Sequence, residues 1–155
     1  MRLTTKSRYG TRAIFDIAYN SAGMPVQIKD ISKRQEVPPR YLEQIFHKLK
    51  KANIVKSVRG PGGGYVLTSD PKKITVGDII RAIKEPIYPV FCADEEDGHN
   101  KKCSRAILCV TRQVWIEAGE KITEYFDSIT ISDLCERARE MGITKDVKHK
   151  FDYSI

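Results

Sequence analysis

Pro38-Pro39-Arg40-Tyr41-Leu42-Glu43-Gln44-Ile45-Phe46-His47-Lys48-Leu49-Lys50-Lys51 is the stretch that decides the fold. Two prolines suit the first turn of a helix, where an amide N–H has no partner within the helix. Tyr41, Leu42, Ile45, Phe46 and Leu49 then recur at helical spacing and form one apolar stripe. The opposite face carries Arg40, Glu43, Gln44, His47 and Lys48. That set combines side chains able to read base edges with a cation able to hold phosphate. The same pattern also fits a surface helix of any globular domain, so the flanking sequence has to discriminate.

Upstream, Ser7 to Asn20 predicts a first helix with Tyr9, Ala13, Ile14, Ile17 and Ala18 on one side and Lys6, Arg8, Arg12 and Asp16 elsewhere around it. Ser21-Ala22-Gly23-Met24-Pro25 closes it. Gln27 to Gln35 predicts a short second helix with Ile28 and Ile31 inward, and Glu36-Val37-Pro38 turns the chain into the third. Two short helices across a tight turn, the second polar and cationic outside, are a helix-turn-helix. Downstream the period changes. Ile54 to Val58 and Tyr65 to Thr68 are β-rich runs joined by Arg59-Gly60-Pro61-Gly62-Gly63-Gly64, which predicts a hairpin wing. Its glycines keep the tip thin, and Arg59 supplies the charge that a narrow minor groove attracts. No Lys-Ser/Thr follows the glycines, which argues against a nucleotide-binding P-loop; a simple turn is the other reading.

Thr75 with Asp78 three residues on predicts a capped helix carrying Val76, Ile79, Ile80 and Ile83, ended by Glu85-Pro86. Pro86 to Lys102 has no periodicity and holds the acidic run Asp94-Glu95-Glu96-Asp97. Ser104 to Ile129 predicts one helix about 39 Å long at 1.5 Å per residue, with Ile107, Leu108, Val114, Trp115, Ala118, Ile122, Phe126 and Ile129 along it. A second copy of the chain is the natural cover for that stripe; the alternative is a helix folded back on its own domain. Ser132 to Glu140 predicts a short helix, and the polar tail from Ile143 is expected to be loose. The organisation expected is therefore mostly α with a small β wing: a winged helix-turn-helix at 1–85, a loop at 86–103, a dimerisation helix and short helix at 104–142, and a flexible tail at 143–155.

Composition is globular, with 155 residues, 41% hydrophobic and 30% charged. No run of ~18 apolar residues spans a membrane and no apolar leader is visible, so a cytoplasmic protein is expected. The net charge of +7 is uneven: up to Gly60, 13 Lys and Arg stand against 4 Asp and Glu, whereas beyond it 14 stand against 16. A basic module of that kind is the footprint of a nucleic-acid binder; a solvated face or affinity for anionic lipid is the alternative. Cysteines occur at 92, 103, 109 and 135. In a reducing compartment, clustered cysteines mean metal or redox chemistry more often than disulfides. Cys135 falls at helical spacing with Ile131, Leu134 and Ala138, as a small core residue would. A thiol oxidoreductase or a metal hydrolase would need a Cys-x-x-Cys or a paired His/carboxylate motif, and the chain has neither.

Met1-Arg2-Leu3-Thr4-Thr5-Lys6-Ser7-Arg8-Tyr9, Tyr41-Leu42-Glu43-Gln44, Ser57-Val58-Arg59-Gly60-Pro61-Gly62-Gly63-Gly64-Tyr65 and Cys109-Val110-Thr111-Arg112-Gln113-Val114-Trp115 resemble the IscR-like family of iron–sulfur regulators, which includes the nitric-oxide sensor NsrR. The likeness runs from about Met1 to Ile131. It implies a winged-helix homodimer that represses or activates transcription at a two-half-site operator on double-stranded DNA. It implies base and backbone contacts from Arg40, Tyr41, Glu43 and Gln44 and from the wing residues Arg59, Gly60, Pro61, Gly62 and Gly63, to which the charge of Lys48 adds a phosphate contact. It also implies an iron–sulfur cluster, 2Fe-2S in IscR itself, on Cys92, Cys103 and Cys109, and control of cluster-assembly genes. Here ten residues separate the first two of these cysteines and five the second pair, where the family commonly has five in both gaps. Arg112 stands where IscR has a histidine ligand and Arg8 where the nitric-oxide sensor has an aspartate. Neither can donate a lone pair to iron, so the fourth ligand stays open, with His99 or an acid of the inserted loop as candidates. A tetrahedral zinc site built from the cysteines and His99, a thiol switch aided by Lys101, Lys102 and Arg105, and a cofactor-free regulator are the other readings.

Overall fold

The computed structural model describes residues 4–93, 103, 105 and 107–146. Helix α1 (Thr5–Asn20) is capped by Thr4, whose hydroxyl accepts from the Lys6 amide at 3.2 Å. Its buried side, with Ala13, Ile14 and Ile17 at or near zero exposure, is the predicted stripe. Helix α2 (Ile28–Gln35) stops at Glu36, which takes the left-handed conformation, φ +52°. The Ser32 hydroxyl donates to the Val37 carbonyl at 2.7 Å and the Val37 amide to the Ser32 carbonyl at 3.2 Å, closing the turn. Helix α3 (Pro39–Lys51) follows with Leu42, Ile45, Phe46 and Leu49 buried. Strands β1 (Val55–Val58) and β2 (Gly64–Leu67) pair antiparallel, Val55 opposite Leu67 and Val58 opposite Gly64. Val26 adds one bridge to Tyr65, with N···O distances of 3.0 and 2.8 Å in the two directions. The wing is thus tied to the segment that leads into α2.

Helix α4 (Val76–Ile83) and helix α6 (Ile131–Glu140) each begin with a capping box, Thr75 with Asp78 and Thr130 with Asp133. The two starts are cross-linked, the Val76 amide donating to Ile129 at 2.9 Å and the Ile131 amide to Ile74 at 2.8 Å. Helix α5 (Val110–Ser128) lies between them in sequence. Ile31, Leu42, Phe46, Leu49, Ile79, Ile83 and Ile131 join the α1 residues in one core, and Cys135 belongs to it at 5% exposure, as its spacing predicts. Burial raises the Cys135 thiol pKa, so it stays protonated.

Three details depart from expectation. The long helix begins at Val110 rather than Ser104: Cys109 is extended (φ −88°, ψ 96°), and a turn closes from the Leu108 amide to the Arg105 carbonyl at 3.0 Å. Ile107 and Leu108 are 97% and 88% exposed, so continuing the helix through them would bury nothing to offset the conformational entropy of ordering them. At 19 residues α5 is about 28 Å long. Asp16, expected away from the packed side, is fully buried because Arg34 of α2 comes to meet it. The tail expected to be loose from Ile143 starts anchored: the Tyr19 hydroxyl donates to the Ile143 carbonyl at 2.8 Å and the Asp146 amide to Asn20 Oδ1 at 3.0 Å. The acidic run at 94–97, His99, Lys101, Lys102, Ser104 and residues 147–155 lie outside the described residues.

Candidate nucleic-acid interface and cysteine segment

The amphipathic spacing of α3 turns Arg40, Glu43, Gln44 and His47 outward, and all four are exposed. Behind them, Phe46 packs on Tyr65 of β2 with ring centroids 4.6 Å apart, so the helix rests on the wing. Tyr41 is half-buried and meets Tyr9 of α1 edge-on, centroids 5.5 Å apart, leaving the remainder of its ring on the outer side. Lys48 differs from its neighbours. Its ammonium donates to the Ile83 carbonyl at the end of α4, 2.8 Å away, and the side chain is half-buried. One of its three N–H groups is spent on holding α3 to α4, and two remain for a phosphate.

At the wing tip Arg59, Gly60, Pro61 and Gly62 are exposed and Gly63 is half-buried. Gly60 (φ +103°) and Gly62 (φ +76°) take a conformation that side chains other than glycine rarely adopt, and the Gly63 amide closes on the Gly60 carbonyl at 2.9 Å. Lys50 at the end of α3 reaches the Ser57 hydroxyl at 2.9 Å, a brace between helix and wing that the sequence reading missed. Its signal was a basic residue in the last turn of α3, two residues before the chain turns into the first strand.

Cys92, Cys103 and Cys109 belong to the stretch that leads from α4 into α5. Cys92 sits in a single turn at Phe91–Ala93, Cys103 is half-exposed, and Cys109 is the residue on which α5 begins. A side chain at Gly119 would collide with the Tyr88 ring, so the segment before Cys92 lies directly on α5. Arg112, in the first turn of α5, donates through Nε to the Cys92 carbonyl at 2.7 Å. Arg112 is therefore a tie between Cys92 and the helix that starts after Cys109. The Cys109 thiol lies 3.3 Å from the Thr111 hydroxyl; that hydrogen bond, followed by the Arg112 amide, lowers its pKa below the usual thiol range. Thiolates are the donors that iron–sulfur groups take, so the donor chemistry fits such a group. The positions do not yet gather: among the described residues no three His, Cys, Asp or Glu side chains stand close enough to hold one metal ion.

A helix-turn-helix backed by a hairpin wing, with an outward basic and amide-bearing face, defines a winged-helix DNA-binding regulator of transcription. The chain belongs to the Rrf2 family, whose model, described as an iron-dependent transcriptional regulator, matches residues 3–137. It is 37% identical over 152 residues to the HTH-type transcriptional regulator IscR of Citrobacter koseri, covering 98% of this chain and 90% of that protein. Among solved structures it is similar to T. potens IscR, with a TM-score of 0.74 and 36% identity over 94% of this chain and 93% of that one. It is similar also to CymR, the global cysteine regulator of B. subtilis, with a TM-score of 0.70 and 36% identity over 88% and 98%. These relatives are regulators, not enzymes. Among the described residues, no helix is long and apolar enough to cross a membrane.

Proposed function

We propose that the chain is a cytoplasmic, homodimeric transcriptional repressor that reads a two-half-site operator with α3 and the wing, and that changes its DNA preference with the state of an iron–sulfur cluster. The observation that carries the cluster is the Arg112 tie, which couples Cys92 to the head of α5, the helix that Cys109 starts. Cys92, Cys103 and Cys109 would hold the group, which supplies sensitivity to iron–sulfur supply, oxidant or nitric oxide; a 2Fe-2S form and control of cluster-assembly genes follow the IscR relatives. Val114 and Trp115, 57% and 41% exposed on α5, support a second copy as its cover. On the DNA side, Arg40 suits guanine, Gln44 suits adenine, and Glu43 accepts from cytosine while repelling phosphate. In this organisation residues 1–85 read DNA, 86–103 carry the sensor and 104–142 join the protomers.

The test is an anaerobic visible spectrum with iron and acid-labile sulfide assays, beside a Cys92→Ala/Cys103→Ala/Cys109→Ala variant. Stoichiometric iron and sulfide, lost in the variant, are expected. A colourless protein that resists reconstitution yet retains selected DNA would overturn the cluster. It would also favour a cofactor-free regulator, or a thiol switch, for which the lowered Cys109 pKa is the supporting observation. For α3 and the wing, Gln44→Ala is expected to relax base preference at one position per half-site and Arg59→Ala to weaken all sequences alike. Equal losses on selected and scrambled duplexes for both variants would contradict it.

A further inference from the structure

We propose that the cavity between the start of α1 and the end of α4 is a seat for a DNA backbone phosphate, flanking the face of α3, with Glu85 as its resident counter-charge. It rests on the reading of α3 as the helix that faces DNA. The cavity has a volume of about 280 Å³ and is lined by Thr4, Lys6, Tyr41, Lys48, Lys84 and Glu85. Three lysines, from α1, from α3 and from the end of α4, line it against one carboxylate. Tyr41 and Lys48 belong to α3 itself, so the cavity borders that helix, beside its outward face, and DNA read by α3 would present its backbone there.

The local structure explains the grouping. The first turn of α1 contains no acidic residue, an arrangement its exposed amides do not favour. Glu85 supplies the missing charge from across the chain, one oxygen accepting from the Thr4 amide at 2.8 Å and the other from the buried Ser7 hydroxyl. Lys84 takes the left-handed conformation, φ +58°, to end α4, which places Glu85 on α1 in the next step of the chain. Lys48 reaches the carbonyl just before, on Ile83, and keeps two donors. Lys6 and Lys84 are exposed, and among the described residues neither makes an ion pair. The excess positive charge of the cavity matches a phosphodiester, which carries one negative charge and two acceptor oxygens. Contacts to backbone phosphate hold register without reading sequence, so this seat contributes affinity and salt dependence rather than base preference.

The test measures binding of the full-length protein, as a function of salt, to a duplex selected by this protein from random sequence and to a scrambled duplex of equal length. Lys6→Gln/Lys84→Gln is expected to flatten the slope of log affinity against log salt by about one in total, for the single phosphate the seat holds, equally on both duplexes. Lys6→Arg/Lys84→Arg is expected to restore it, and Glu85→Gln to tighten both duplexes by the same factor. A wild-type slope in the folded Gln pair overturns the proposal. Should that pair fail to fold by circular dichroism, Glu85→Gln decides alone: unchanged or weaker binding on both duplexes overturns it. The reading of α3 fails separately, through a Gln44→Ala variant that keeps full preference for the selected duplex.

Discussion

Arg34→Ala isolates the contact that fastens the helix-turn-helix to α1. The Asp16 carboxylate is wholly buried and accepts from Arg34 Nε at 3.0 and 3.2 Å and from its terminal nitrogen at 2.6 Å, while the Arg34 side chain keeps 16% exposure. Gln35 Nε2 at 2.9 Å and Asn20 Nδ2 at 3.3 Å complete the set, both of them neutral donors. Removing the guanidinium leaves a buried charge with two neutral hydrogen bonds. Breaking a buried pair in this way costs about 3–5 kcal/mol; the surviving donors and the residual solvent access of Arg34 place this case near 3. For a chain of this size that lowers the thermal midpoint by roughly 6–12 °C. Calorimetry or urea denaturation of the single variants and of Arg34→Ala/Asp16→Ala closes a double-mutant cycle, with a coupling of about 2 kcal/mol expected between groups in direct contact. DNA binding should weaken at temperatures where the variant is still folded, because α2 sets the angle at which α3 is presented. A loss under about 1 kcal/mol, the range of exposed pairs, would refute the claim that this buried pair anchors the reading head.

Gly63→Ala puts a Cβ against the backbone carbonyls of Val58 and, at 2.8 Å, Gly60, neither of which can move without reshaping the tip. A cost to the hairpin of about 1–3 kcal/mol is expected, seen as weaker binding to every duplex with the helical circular dichroism unchanged; wild-type binding would show that the tip does not touch DNA. Burial would raise the Asp78 pKa, but hydrogen bonds from Thr75 and Arg81 outweigh it and hold the carboxyl below its ordinary range. Its stabilising contribution is therefore present above the unfolded carboxylate pKa and lost as pH falls through the folded value. Asp78→Asn should flatten the acid limb of a stability–pH curve below about pH 4, and an unchanged limb would assign acid sensitivity elsewhere. Val114→Glu/Trp115→Glu places charge on the exposed face of α5 and should convert dimer to monomer in sedimentation at micromolar protein; a monomeric parent chain would remove the second copy from the account.

Periodicity alone was enough to delimit the helix-turn-helix, the wing and the capped fourth helix, because each rests on local rules: apolar spacing, left-handed or glycine turns, and a Thr-x-x-Asp cap. The outward residues on α3 were legible for the same reason, since a stripe buried on one side leaves its complement outside. Lys48 was only half legible; its charge was plain, but its bond to Ile83 depends on where α4 ends, 35 residues later. The start of α5 was misplaced for a related reason. A helical spacing of apolar residues continues back through Leu108 and Ile107, but whether those residues form a helix depends on a surface to bury them, which sequence spacing cannot supply.

The sequence by itself determined the class of protein: a basic first half, two helices across a turn, a glycine wing and three clustered thiols, all of them properties of neighbours in the chain. Only the tertiary structure decided which charges are partners. Asp16 looks like a solvent-facing residue of α1 and is the buried anchor of α2. Glu85 looks like the end of α4 and serves as the missing acid of α1. Arg112 looks like a surface charge in the first turn of α5 and holds the Cys92 carbonyl. Each of these pairings joins residues 18 to 81 positions apart. Their free energy comes from burial and geometry at a helix crossing, and that geometry exists only once the helices have packed.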